Sequence, residues 1–133
     1  MGAGRGRARR AASVVVPPQR AVIDELGERI RAALTPDLLK DEYRDNPRPY
    51  AGHCYVASEV YYHLRGGKEA GLKAVGLEHE GAQHWWLEDN LGNVIDLTSE
   101  QFATSVPYER GRGRGFLTKQ PSKRAQTVID RLS

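Results

Sequence analysis

The segment Gln83-His84-Trp85-Trp86-Leu87-Glu88-Asp89-Asn90-Leu91-Gly92-Asn93-Val94-Ile95-Asp96 decides the fold of this chain. His84–Glu88 and Asn93–Leu97 read as two short strands rich in β-branched and aromatic residues, and Asp89-Asn90-Leu91-Gly92 between them is a turn signal. Side chains alternate across a strand, so Trp85 and Trp86 point to opposite faces, one into a core and the other free to wall a site. If the loop is Asp89–Leu91, His84 lies directly opposite Asp96 on one face, with Cβ atoms about 4.5 to 5.5 Å apart. A two-residue turn would put Asp96 on the other face unless a bulge restored the register.

Upstream, Leu72 to Glu80 reads as a further strand, because two glycines argue against helix there, and Gly81 marks the turn into the hairpin. Before it, Tyr55, Val56, Val60, Tyr61 and Leu64 recur at helical spacing, and Gly66-Gly67 closes that helix as a C-cap. Cys54 therefore falls in the first turn of a helix. Residues 44 to 52 contain Asp-Asn-Pro-Arg-Pro-Tyr and read as a loop leading into the cysteine. Ala21, Val22, Ile23, Leu26, Ile30, Ala33 and Leu34 predict a helix from about Pro18 to Leu34, and Thr35-Pro36-Asp37 predicts a second, shorter one to about Tyr43 with Thr35 as its N-cap.

Downstream, Thr98 or Ser99 caps one helical turn, Val106 to Gly115 is a Pro- and Gly-rich loop, and Pro121 to Leu132 is an amphipathic helix. The pattern is α+β, with a Cys-bearing helix packed on a small antiparallel sheet. At 133 residues the chain fits one domain, residues 17–133, behind a flexible basic tail at 1–16 that contains Arg5, Arg7, Arg9 and Arg10. No stretch approaches the roughly 20 apolar residues that cross a bilayer, and the stunted apolar run before Pro17-Pro18 makes a poor signal peptide. A single cysteine excludes an internal disulfide framework and fits a reducing compartment, hence a soluble protein of the cytoplasm.

Cys54, His84 and Asp96 have complementary chemistry. The positive end of a helix favours thiolate over thiol, an imidazole beside it takes and returns protons, and a carboxylate orients that imidazole and stabilises its cation. Such a set needs neither cofactor nor metal. Two other readings stand beside it. A lone cysteine is often a small buried hydrophobe, and His53, Cys54, His79 and His84 carry zinc-type donors. Adjacent His53 and Cys54 would seldom serve one ion, however, which leaves only His79 with His84 as a plausible pair. His63, in mid-helix, reads as a packing residue.

These residues resemble a family pattern. Cysteine at a helix start, then His-Trp-Trp-Leu-Glu, then Gly-Asn-Val-Ile-Asp-Leu-Thr, is similar to the core of the transglutaminase-like and papain-like cysteine enzymes, and to the small YunG-like bacterial and phage proteins. The resemblance covers roughly Gly52 to Phe116. It implies a papain-like core with Cys54 as nucleophile, His84 as base and Asp96 as orienter, acting on a peptide, amide or other acyl-bearing substrate through a thioester. Leu97 stands where the related pattern often has proline. The oxyanion donor that such enzymes use maps to Asn46, with His53 and Tyr50 as substitutes and the Cys54 backbone N–H as a further donor.

Trp85, Trp86, Arg112 and Arg114 are the candidate substrate-binding residues. The Gly-Arg-Gly-Arg-Gly run at 111–115 offers two readings, a flexible loop beside the site or an anion-binding element in which glycine lets amides approach and arginine forks onto oxygens. With the basic tail, it supports an alternative function: a non-catalytic module that binds nucleic acid or protein on the same scaffold.

Overall fold

The computed structural model describes residues 23–133; the basic tail and the start of the first expected helix lie outside them. Among these residues four strands form one antiparallel sheet, β1 (Lys73–His79), β2 (Ala82–Glu88), β3 (Val94–Ile95) and β4 (Arg112–Arg114), in the order β3-β2-β1-β4. Among the described residues four α-helices accompany them: α1 (Glu25–Ala33), α2 (Asp41–Arg44), α3 (Cys54–Leu64) and α4 (Lys123–Arg131). The fold is therefore α+β. None of the helices among the described residues is long and apolar enough to cross a membrane.

The hairpin register differs from the sequence expectation. Leu87 pairs with Ile95 and Glu88 with Val94, so the loop is residues 89–93 rather than Asp89–Leu91. Asp89 causes the lengthening: its Oδ1 accepts from the backbone N–H of both Leu91 and Asn93, and its Oδ2 from the Asn93 side-chain amide. This side-chain scaffold replaces a tight turn. Because the displacement is two residues and side chains alternate with a period of two, His84 and Asp96 keep the same face. They meet as diagonal neighbours, not as the directly opposed pair.

Alternation along β1 and β2 sorts the core into two layers. Ala74 and Leu87, cross-strand partners, face the helices and pack with Ile30 of α1, Val56 and Val60 of α3, and Val128 of α4. Val75 and Trp86, the next pair, face the other way and are covered by Phe102, Val106 and Tyr108 from the segment that follows β3. Trp86 is fully buried there, and its indole N–H donates to Glu88 (3.2 Å).

The helices are tied by polar groups as well as apolar stripes. Asp24 caps α1 by accepting from the Gly27 N–H (2.8 Å), and its second oxygen receives the Tyr61 hydroxyl (2.8 Å) and Arg65 (2.7 Å) from the α3 side. Glu59, fully buried on α3, accepts from the Ser122 N–H (2.6 Å) and hydroxyl (2.7 Å), so a carboxylate sits at the start of α4. Anions are favoured at that end of a helix. Gly66, in the left-handed region at φ 102°, ends α3 as its position suggested.

Two further sequence expectations need correction. The helix from Thr35 to Tyr43 is broken into a 3-10 turn at Pro36–Leu38 and the short α2, because Leu39 is extended. Thr35 spends its hydroxyl on the Asp37 side chain and so caps no backbone amide. The Gly-Arg-Gly-Arg-Gly run is not a loose loop: Arg112–Arg114 pairs with Ala74–Gly76 as an edge strand. Its first glycine is required by packing, since a Cβ at Gly111 would fall 2.4 Å from Trp86 Cζ2 and 2.6 Å from Val75 Cγ1.

Candidate active site

The approach to Cys54 is set by backbone that few residues can adopt. Tyr50 has φ 63° and Gly52 φ 84°, and a Cβ at Gly52 would lie 2.6 Å from Tyr43 Cγ, so the chain turns tightly against the Tyr43 ring before α3 begins. Arg31 of α1 fastens this loop to the far side of the site. Its guanidinium lies over the Tyr50 ring (4.5 Å), donates to the Leu97 carbonyl (2.9 Å) and pairs with Glu100 (2.6 Å). One arginine thus braces the chain entering Cys54 and the chain leaving Asp96.

Cys54 is the first residue of α3 and is 7% exposed. Its Sγ is 3.7 Å from the Gln83 carbonyl oxygen. Gln83 lies in the part of β2 beyond the reach of the two-residue β3, so the shortness of β3 leaves this part of β2 without a β3 partner where the helix start abuts it.

His84 and Asp96 are buried, at 0% and 3% exposure. His84 Nε2–H donates to Asp96 Oδ2 (2.6 Å). The same oxygen accepts from the Tyr108 hydroxyl (2.8 Å), and Oδ1 accepts from the Thr98 N–H (3.1 Å). Asp96 is thereby held by three donors, as a buried carboxylate needs to be.

The other ring nitrogen, His84 Nδ1, is 2.9 Å from the Gln101 side-chain amide. A neutral ring accepts there from the amide N–H. A doubly protonated ring instead donates, to the Cys54 sulfur or to the Gln101 oxygen after rotation of the amide. Burial by itself lowers the pKa of the ring, but hydrogen bonding to Asp96 and Cys54, and the charge of both, outweigh it and push the value up to about 9. Protonation of His84 is thus favoured where the ring sits between the Asp96 carboxylate and the Cys54 side chain. His53, next to the cysteine, behaves oppositely: burial and then the charge of Arg124 lower its pKa, so it stays neutral.

A groove of about 210 Å³ opens beside Cys54, lined among others by Tyr43, Tyr55, Gln83, Trp85 and Gln101. Trp85 forms a wall, stacked on Phe116 (5.7 Å) and met edge-on by Tyr55 (4.8 Å). Arg114 reaches the rim, donating to Gln83 Oε1 (3.2 Å) with its guanidinium 6.0 Å from the Trp85 ring. Gly76, its diagonal neighbour on β1, leaves it room; a Cβ at Gly76 would meet Arg114 at 3.1 Å and the His84 carbonyl at 2.7 Å.

Of the candidate residues, Cys54, His84, Asp96, Trp85 and Arg114 are thus brought together. Three are not. Asn46 is exposed, does not line the groove, and uses its Oδ1 to accept from the Arg48 N–H (2.9 Å). Trp86 is buried on the sheet face away from the groove. The Arg112 side chain is exposed and makes no hydrogen bond, ion pair or ring contact among the described residues. His79 is held elsewhere, 3.0 Å from the Thr104 hydroxyl and edge-on to Phe102, and His63 leaves its Nε2 buried without a partner among the described residues. No group of three His, Cys, Asp or Glu side chains among the described residues is arranged to hold a metal ion.

Gln101 and Tyr108 were missed by sequence reasoning. Both come from a segment without periodicity, and the only signal was their position soon after Asp96, where chain returning over the sheet can reach the buried pair. No family model, curated protein or solved structure matches the chain.

Proposed function

We propose that the chain is a papain-like cysteine hydrolase or acyltransferase that works through a thioester on Cys54. The observation that carries this reading is the buried His84 ring, bonded to Asp96 through Nε2 at 2.6 Å, with Cys54 at the first position of α3 against the neighbouring residue Gln83. An imidazolium beside a sulfur stabilises thiolate, the form that attacks a carbonyl.

In that reaction the Cys54 sulfur bonds to the acyl carbon and the carbonyl oxygen becomes an oxyanion. The Cys54 backbone N–H, at a helix position without an intrahelical acceptor, is one donor to it. The Gln101 amide, on the same groove, takes the role for which Asn46 is misplaced. His84 passes a proton to the leaving nitrogen as the carbon–nitrogen bond breaks. The neutral ring then accepts a proton from water, or from a second nucleophile, as the thioester is resolved. Asp96, steadied by Tyr108 and Thr98, holds the ring in place through both steps.

The first test is alkylation of Cys54 by iodoacetamide at pH 7. An ordinary cysteine is only a few per cent thiolate at that pH, so Cys54 should react about tenfold faster than a free thiol despite its burial. Labelling slower than a free thiol would remove the nucleophile. If such a chain also bound nucleic acid in a salt-dependent way that Arg112→Ala and Arg114→Ala abolished, the binding-module reading would replace the enzyme.

A further inference from the structure

The charge around the groove is uneven. Lys40, at the start of α2, and Arg124, in the first turn of α4, both line it, and the carboxylate that lines it is Glu42. Arg114 adds a third cation at the rim through its bond to Gln83. None of the three forms an ion pair among the described residues. Arg124 donates one N–H to the Leu38 carbonyl (3.1 Å), which fixes the side chain and leaves its charge uncompensated. The charge is felt inside the site, since Arg124 contributes to the lowered pKa of His53.

These cations come from three separate elements, two helix starts and an edge strand, and converge on the groove that also holds the Cys54 thiol and the Trp85 wall. A basic, aromatic-walled cleft concentrates anions and gives their oxygens donors. Glycine at position 76 is required by the His84 carbonyl, 2.7 Å from where its Cβ would lie, and it also leaves room for Arg114, whose Nε would be 3.1 Å from that Cβ.

We infer that the groove selects acyl substrates carrying negative charge beside the reacting carbonyl, namely peptide segments with Asp or Glu side chains. This deepens the cysteine-enzyme reading and rests on it. Lys40, Arg124 and Arg114 bind the substrate's carboxylates, Trp85 packs its apolar portion, and Cys54 meets the carbonyl carbon between them.

The test compares two reagents on the full chain, iodoacetyl-Glu-Gly amide and iodoacetyl-Gln-Gly amide, which share shape and reactive carbon and differ in charge. Cys54 should prefer the glutamate reagent about fivefold at low salt. The preference should collapse at about 1 M salt, where charges are screened within about 3 Å. In Lys40→Glu, a change at an exposed position, and in Arg124→Gln the Glu:Gln rate ratio should fall towards one. Rapid labelling by both reagents with a ratio near one, or a ratio that survives these substitutions, would overturn the inference and leave the cysteine chemistry standing. Slow labelling by both would overturn the two together.

Discussion

Asp96→Asn is expected to slow alkylation of Cys54 by iodoacetamide about thirtyfold at pH 6. The carboxylate is the ring's buried counter-charge, and its bond to His84 Nε2 is 2.6 Å long. An asparagine amide in its place presents an N–H to Nε2 and carries no charge, so the imidazolium loses its stabilisation and a neutral ring keeps its proton on Nδ1. At pH 6 an ordinary thiol is ionised to roughly 0.3%. Part of what ion pairing adds in thiolate is offset by the lower nucleophilicity of a stabilised sulfur, which brings the expected factor down to tens. Thermal unfolding of the variant separates this effect from collapse of the site, because the asparagine oxygen can still accept from the Thr98 N–H and its amide can donate to the Tyr108 hydroxyl oxygen. A folded Asp96→Asn chain that labels within twofold of the original would take Asp96 out of the charge balance.

Stability should depend on pH through the same ring. The folded-state pKa of His84, about 9, lies above the ordinary 6.5, so the folded state binds its proton more tightly than the unfolded chain. Its contribution is complete below about pH 6.5 and is lost as pH rises through about 9, at most about 3 kcal/mol across that window. Urea unfolding at pH 6 and pH 9.5 should show this loss in the original chain, and His84→Gln should flatten the limb. A second, acid limb has the opposite sign. Thr104 and the Ala103 amide hold the Glu80 carboxyl down to about 2, so its contribution is present above about pH 4.5 and is lost as pH falls from there through about 2. If stability rose between pH 6.5 and 9, the buried imidazolium would be excluded.

The elements that the sequence revealed were those whose packing is periodic. Val56, Val60 and Tyr61 recur at helical spacing and do line the core side of α3, and Ser122 starts α4 by accepting from the Ala125 N–H. His84 and Asp96 were legible as a pair because a period of two survives a loop of the wrong length. The length itself was not, since it depends on three hydrogen bonds from one Asp89 side chain. β4 was hidden for a different reason. Arg112–Arg114 has no apolar alternation, and as an edge strand it is held by backbone pairing to β1 and by Gly111 lying on Trp86.

The outer part of the site was less legible still. Glu59 lies on a largely apolar helix, where its sequence neighbours give no sign of its partner Ser122, 63 positions away. Gln101 and Tyr108 reach His84 and Asp96 from irregular chain, where no period marks which side is buried. Trp85 and Trp86 could be assigned to opposite faces, but only the packing of Phe102, Val106 and Tyr108 over Trp86 decides which tryptophan is left for the groove.

The central claim is that His84 is a cation shared between Asp96 and Cys54, and ¹⁵N NMR of the His84 ring against pH tests it most directly. Both ring nitrogens should be protonated at pH 7.5, with a transition near 9 that moves to lower pH in Cys54→Ala as the thiol's share is removed. A ring that is neutral at pH 7.5, or a transition that Cys54→Ala leaves in place, would contradict it.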